Sequence, residues 1–298
     1  MGFGSIGMRH ARLLVDLGLE VAVVSRRSVK ARKAYRTIPD AVADWAPDYV
    51  VVASRTNEHR QDMAVLAANG FRGTVLMEKP LFDQGDHAPE HAFKRVFVGY
   101  NLRFHPVVRR FKEILDGTTP YAVHAYVGQS LSDWRSGSDY RKGYSGAKSQ
   151  GGGVLRDLSH ELDFLNWILG GWKCLTASGG KFSQLEIDSD DVFSVLFEAR
   201  RCPVVTVQMN YLDGVFHRQL VALTDKGSLR ADIARGTIEF RETTEHFNMT
   251  RDDTYIAEHE AVLSGDTDTL CSLEEGRDVM RMIAAAETAA REQTWVAH

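Results

Sequence analysis

A two-part α/β protein is predicted, with a doubly wound parallel sheet over residues 1–118 and an α+β half with a large, mostly antiparallel open sheet over residues 119–298. Three observations predict it. The chain opens on a glycine run that leads into a helical pattern and then a short apolar run. Apolar runs and amphipathic stretches keep alternating as far as Tyr100. From Tyr121 onward the apolar runs lengthen, alternate in polarity and are joined by irregular linkers, as suits a sheet with one packed face.

The glycine run is Gly2-Phe3-Gly4-Ser5-Ile6-Gly7, the pattern G-x-G-x-x-G. Small residues at this spacing let the backbone turn sharply and approach a pyrophosphate, whose charge then sits on the helix N-terminus. A plain tight turn is the competing reading. A helix over 6–17 stopped by Gly18, and after it an apolar strand over 20–25, favour the phosphate-binding reading. The strand that normally precedes such a turn is missing. Four buried aliphatic side chains at about 1.5–3 kcal/mol each would match a typical domain's whole stability of about 5–15 kcal/mol. The expectation is therefore a truncated or misassigned start, or another segment that fills the gap.

The parallel half continues with strands over 48–53, 73–77 and 96–100 and a helix over 58–69 closed by Gly70. Residues 27–46 are few for a helix, a strand and a second helix, so this part of the sheet is expected to be trimmed. A helix over 106–116 starts on proline and ends at Gly117. In the second half, strands are expected over 122–129, 191–199, 204–212, 218–224 and 237–241, with helices over 155–169 and 273–291.

With 298 residues, 44% hydrophobic and 26% charged, the chain has the composition of an ordinary globular protein with room for two domains. A formal net charge of −4 provides no basic field for nucleic acid. Cys174, Cys202 and Cys271 form no C-x-x-C, which argues against a disulfide framework or zinc knuckle and for a cytoplasmic location. No apolar run reaches membrane-spanning length.

Four segments carry candidate chemistry. Ser25-Arg26-Arg27 ends the second strand, where NAD-preferring domains usually place an acid on the ribose. A hydroxyl and two guanidinium groups suit a 2′-phosphate instead, which predicts NADP in preference to NAD; a solvated basic turn is the bland alternative. Glu78-Lys79-Pro80 follows a strand at the sheet edge where open α/β sheets bind ligands, although its residue types alone also suit a surface turn. After Gly151-Gly152-Gly153, a helix would put Asp157 and His160 on one face, so that the carboxylate fixes the imidazole tautomer for proton exchange with substrate. Only one such pair is present, so no metal is expected; a helix-start acid and a satisfied interface histidine form the structural alternative. The stretch from Gln129 through Trp134, Arg135, Tyr140, Arg141 and Tyr144 to Lys148 is rich in rings and donors. It suits a polyhydroxylated ligand with an attached anion, or else a solvated or subunit-contact loop.

In order, Gly2 to His10, Glu78-Lys79-Pro80, Gly99 to Pro106, and Gly151 to Gly170 with Asn166-Trp167 resemble the glucose–fructose oxidoreductase, inositol dehydrogenase and rhizopine-catabolism (Gfo/Idh/MocA) family. The resemblance implies an N-terminal Rossmann domain, a C-terminal sheet domain, and hydride transfer between NAD(P) and a hydroxyl or keto group of a sugar. Residues 129–167 are most similar to members associated with bacterial surface sugars. By the same resemblance Lys79 contacts substrate oxygen and nicotinamide ribose, and His160 is the acid/base. The family's aspartate stands four residues before this histidine, whereas Asp157 stands three before His160. Gly2, Gly4, Ser5, Ile6, Gly7 and Ser25 to Arg27, with Asn57, His59, Glu78 and Lys79, are expected to bind cofactor. Lys79, Asn101, Arg103, Gln129, Trp134, Tyr140, Arg141, Tyr144 and His160 are expected to bind substrate. Homo-oligomers, dimers or tetramers packed through the sheet faces, are common in such families. Two alternatives are an enzyme that uses tightly held NAD for transient oxidation, as in some glycosidases resembling the family, and a non-catalytic cofactor-binding or partner protein.

Overall fold

Gly2 turns the chain at φ +79° into helix α1 (Ser5–Asp16), and Gly18 at φ +83° lies just beyond its end. The computed structural model describes residues 1–134 and 139–298. In chain order there follow β1 (Val23–Val24), β2 (Ala34–Tyr35), α2 (Ile38–Trp45), β3 (Tyr49–Val52), α3 (His59–Ala68), β4 (Thr74–Met77) and β5 (Arg95–Val98). Next come α4 (Pro106–Asp116), β6 (Pro120–Gly128), α5 (Val154–Asp157), α6 (His160–Ile168), β7 (Trp172–Gly180), β8 (Val192–Ala199) and β9 (Val205–Asn210). The chain continues with β10 (His217–Thr224), β11 (Gly227–Asp232), β12 (Thr237–Phe240), β13 (Thr243–His246) and α7 (Asp253–Ser264). It ends with β14 (Cys271–Ser272), α8 (Leu273–Glu292) and β15 (Val296–Ala297).

The chain divides into two units, residues 1–101 with 252–277 and residues 102–251 with 278–298. The boundary expected after residue 118 therefore falls before α4. That helix packs on β11, β12 and α6 and belongs to the second unit. The first unit in turn takes in α7, which packs on α1, and β14, which pairs with β5.

In the first unit β3, β4 and β5 form a parallel sheet with β14 antiparallel at its edge, in the order β14-β5-β4-β3, while β1 and β2 make a separate parallel pair. The backbone of Met1 and Gly2 bridges the two sheets. Gly2 N–H donates to the Val24 carbonyl at 3.0 Å, Ala53 N–H donates to the Met1 carbonyl at 2.8 Å, and the Met1 nitrogen donates to the Val51 carbonyl at 2.6 Å. Below this bridge lies a cavity of about 530 Å³ lined by Leu14, Val21, Val23, Val42, Tyr49 and Val51, among others. The gap anticipated in the sheet is thus a slot between β1 and β3, and no segment among the described residues fills it. It also explains why the expected strand over 20–25 contracts to Val23–Val24: β1 has regular strand pairing on one side only.

The second unit is built on nine strands in the order β13-β12-β11-β10-β6-β9-β8-β7-β15, all antiparallel neighbours except the parallel pair β6 and β9. Along β8, buried Phe193, Val195 and Phe197 alternate with exposed Ser194 and Glu198, the period of a sheet with one packed face. The helix expected over 155–169 is two helices, because Leu158 and Ser159 form a turn between α5 and α6. Among the described residues no helix is long and apolar enough to cross a membrane.

Candidate active site

The glycines of the first turn have different tasks. A Cβ at Gly2 would lie 2.5 Å from the Ala53 carbonyl oxygen, and one at Gly7 would lie 2.2 Å from the Gly2 oxygen, so both are required by close backbone packing. At Gly4 nothing lies within 4 Å. Gly4 caps α1 without a side-chain hydrogen bond, and the first turn, which contains Ser5 and Ile6, has no acidic residue. Backbone donors and the positive end of the helix dipole therefore stay available to an anion, and this cradle fits the pyrophosphate of a dinucleotide.

At the end of β1, the Ser25 hydroxyl accepts the Arg27 N–H at 3.2 Å, and the Arg26 guanidinium reaches Glu58 at 2.5 Å. The Arg26 side chain is 79% exposed, so this ion pair is a weak competitor for a phosphate. Asn57 is exposed on the short turn before α3, whereas His59 is 1% exposed. Its ring faces the carbonyls of Leu81 at 3.1 Å and Ser54 at 3.3 Å. Burial pushes the His59 pKa down, outweighing these contacts. A neutral ring has a single N–H, so His59 donates to only one of these two carbonyls.

Glu78 and Lys79 stand at the tip of β4. Glu78 Oε2 accepts the Lys79 backbone N–H at 3.1 Å, and Oε1 lies 2.7 Å from His10 Nε2. Burial pushes the Glu78 carboxyl up, but the hydrogen bond and charge of His10, with Lys79, outweigh it and the net shift is downward. Asn101, expected at substrate, is 4% exposed and donates to the Thr254 hydroxyl at 2.7 Å.

In the second unit the expected cluster is rearranged. Asp157 is 2% exposed and accepts the Tyr211 hydroxyl at 2.7 Å, while His160 begins the next helix. The shared helical face therefore does not form, because α5 ends at Asp157. Burial, then the Asp157 charge, holds the Tyr211 hydroxyl well above its ordinary pKa. Arg103 is 1% exposed and grips Asp163 with two nitrogens, Nε at 3.0 Å and a terminal nitrogen at 2.7 Å; its guanidinium lies 5.1 Å from the Trp167 ring centre. This geometry ties Arg103 to α6 by a bidentate, charge-assisted bond.

Of the loop residues, Gln129 is half-buried and its N–H bonds the Asn210 carbonyl. Trp134 packs edge-on against Tyr211 at 5.8 Å. Arg141 is engaged by Asp139 and Glu186, Tyr140 accepts the Glu186 N–H at 3.5 Å, and Tyr144 is half-buried. Arg135 lies outside the described residues. The triple glycine has a steric reason, since a Cβ at Gly152 would lie 2.1 Å from the Tyr144 carbonyl oxygen and Gly153 takes φ +125°. Sequence reasoning missed Tyr211 and Asp190. The Asp190 carboxyl, pushed up by burial, accepts the Leu155 N–H at 2.9 Å at the start of α5.

A glycine turn that opens a helix in one unit and a carboxylate- and histidine-bearing helix in a unit built on an open sheet are the parts of a two-domain dinucleotide-binding fold. The chain matches the GFO/IDH/MocA C-terminal domain over residues 108–230. It is 26% identical over 186 residues to the rhizopine catabolism protein MocA of Rhizobium meliloti, a match that covers 57% of this chain and 56% of that relative. The match thus spans about half of the relative's length. GenD2 from gentamicin A biosynthesis, solved in complex with NAD, has a TM-score of 0.81 at 22% identity, covering 100% of this chain and 94% of that one. The WlbA dehydrogenase from Bordetella pertussis, solved with NADH and UDP-GlcNAcA, has a TM-score of 0.80 at 18% identity, covering 100% and 96%. Both likenesses are likenesses of fold.

Proposed function

We propose that the protein is an NADP-preferring dehydrogenase or reductase acting on a hydroxyl or keto group of a sugar derivative. The observation that carries this reading is the cradle at Gly2, Gly4 and Gly7, in the same unit as Glu78-Lys79 at the tip of β4. The complexes of GenD2 with NAD and of WlbA with NADH and UDP-GlcNAcA support a nicotinamide cofactor and a sugar-derived substrate, while the NADP preference rests on Ser25-Arg26-Arg27 alone. Bound there, a nicotinamide cofactor supplies a hydride donor or acceptor. The chain's own residues do the rest. The first turn of α1 holds the pyrophosphate, and Ser25, Arg26 and Arg27 receive a 2′-phosphate by charge-assisted hydrogen bonds. Lys79 donates to the substrate oxygen and stabilises the developing alkoxide. Trp134, Tyr140 and Tyr144 offer rings to sugar C–H groups, and the cations between them favour a substrate with an attached carboxylate or phosphate.

The test tracks the transferred atom. The chain is incubated with NADPH deuterated at nicotinamide C4 and a panel of keto-sugars carrying carboxylate or phosphate groups. One product is expected to be a sugar alcohol with deuterium on the former carbonyl carbon, read by mass spectrometry. Cofactor that binds but transfers no deuterium to any sugar in the panel would count against the reading.

A further inference from the structure

Three buried polar side chains, His10, His259 and Glu78, and half-buried Tyr49 meet in a line of the first unit that the proposed chemistry does not use. The Tyr49 hydroxyl on β3 lies 2.9 Å from His259 Nδ1 on α7. His259 Nε2 lies 2.9 Å from His10 Nδ1 on α1, and His10 Nε2 lies 2.7 Å from Glu78 Oε1. Glu78 Oε2 then accepts the Lys79 N–H at 3.1 Å. His10 is 2% exposed and His259 is fully buried, so neither ring can replace these partners with water.

We propose that Tyr49, His259, His10 and Glu78 form a positioning relay that fixes Lys79 relative to the glycine-turn helix. The inference rests on the reading of Lys79 as the group that meets substrate oxygen. Gly7 and His10 are one helical turn apart on α1, so the helix that carries the phosphate cradle is bonded through His10 to the residue just before Lys79. A shift of that helix on cofactor binding is thereby transmitted to the lysine. The relay residues are positioning residues and touch no substrate.

Hydrogen-bond chemistry fixes the sense of the line. An ionised Glu78 only accepts, so His10 donates from Nε2 in either protonation state. With His10 neutral, its Nδ1 accepts from His259 Nε2–H, and His259 Nδ1 accepts from the Tyr49 hydroxyl. One proton added to His10 reverses both outer bonds without moving a heavy atom: His10 Nδ1–H donates to His259 Nε2, and His259 Nδ1–H donates to Tyr49. His259 stays neutral in both states, its pKa lowered to about 3 by burial and then by the charge of His10. Other charged or titratable groups act on this line: Lys79 and His59 on Glu78, Tyr255 and Glu258 from α7, and Arg9 over the Tyr255 ring at 5.2 Å. Tyr255 also packs edge-on to His10 at 5.5 Å.

The test is ¹⁵N NMR of the histidine-labelled full chain without ligand from pH 5 to 8, with peaks assigned from His10→Gln and His259→Gln. His10 is expected to keep its proton on Nε2 throughout. His259 is expected to stay neutral, with its tautomer set by the protonation state of His10: Nε2–H against a neutral His10 and Nδ1–H against a protonated one. A neutral His10 protonated on Nδ1, or a His259 tautomer that ignores His10, overturns the relay. Glu78→Gln is then expected to lower kcat about tenfold or more while KM stays nearly unchanged. An unchanged kcat overturns the positioning role. Absence of any dehydrogenase rate in the parent chain overturns the reading of Lys79 instead, and the ring shifts still decide whether the relay exists.

Discussion

Lys79→Ala is expected to lower the dehydrogenase rate about 100-fold or more, the ordinary effect of removing a group that bonds the transition-state oxygen. Most of the loss should appear in kcat, because alkoxide charge develops only as the reaction proceeds. The fold should tolerate the change. Lys79 is half-buried at a strand tip, and what anchors this segment is the bond of its own backbone N–H to Glu78, which alanine retains. Steady-state rates checked against Tm and NADPH affinity separate the two effects. A rate within threefold of the parent would remove Lys79 from the mechanism, whereas a rate lost together with NADPH binding would assign the lysine to the cofactor.

Acid should destabilise the chain well before its carboxylates titrate, through two buried histidines. Burial, then the charge of His10, lowers the His259 pKa to about 3; burial, then Arg218, lowers that of His105 to about 4. In the unfolded chain each returns to about 6.5. Both folded values lie below the unfolded ones, so between them the unfolded chain binds a proton that the folded chain refuses. The stability linked to each ring is therefore fully present above about pH 6.5 and is lost as the pH falls toward its folded pKa. At about 1.4 kcal/mol per pH unit, His259 alone accounts for a loss of about 5 kcal/mol between pH 6.5 and 3. Unfolding midpoints measured from pH 7.5 to 4.5 should fall steadily below pH 6.5, and His259→Gln should flatten the curve. Stability unchanged down to pH 4.5 would contradict the buried, neutral state of these rings.

Much of the architecture was legible because it is written in local patterns. The helix over 106–116 needs only its opening proline, an apolar stripe and a closing glycine, and it appears with those bounds. The glycine turn was equally local, as was the acid–lysine pair. Contacts between distant residues were not legible. Asp157 meets Tyr211 across 54 positions, Arg103 meets Asp163 across 60, and His10 meets His259 across 249. No spacing rule announces such partners, so the bonds made by Asp157 and Arg103, both read as site residues, were invisible in the sequence. The break between α5 and α6 was hidden for a related reason, since an apolar run that is buried all round shows the same periodicity on either side of an interruption. Strand β13 escaped because Thr243, Thr244, Glu245 and His246 form a polar edge strand without apolar alternation.

The most direct test of the central claim is a fluorescence titration of this chain with NADPH and with NADH. The cradle at Gly2, Gly4 and Gly7 predicts saturable binding, and Ser25-Arg26-Arg27 predicts NADPH at least about tenfold tighter, the worth of one charge-assisted hydrogen bond. Tighter binding of NADH would contradict the role given to the two arginines. Binding of neither would contradict the account of the first unit as a nicotinamide cofactor site.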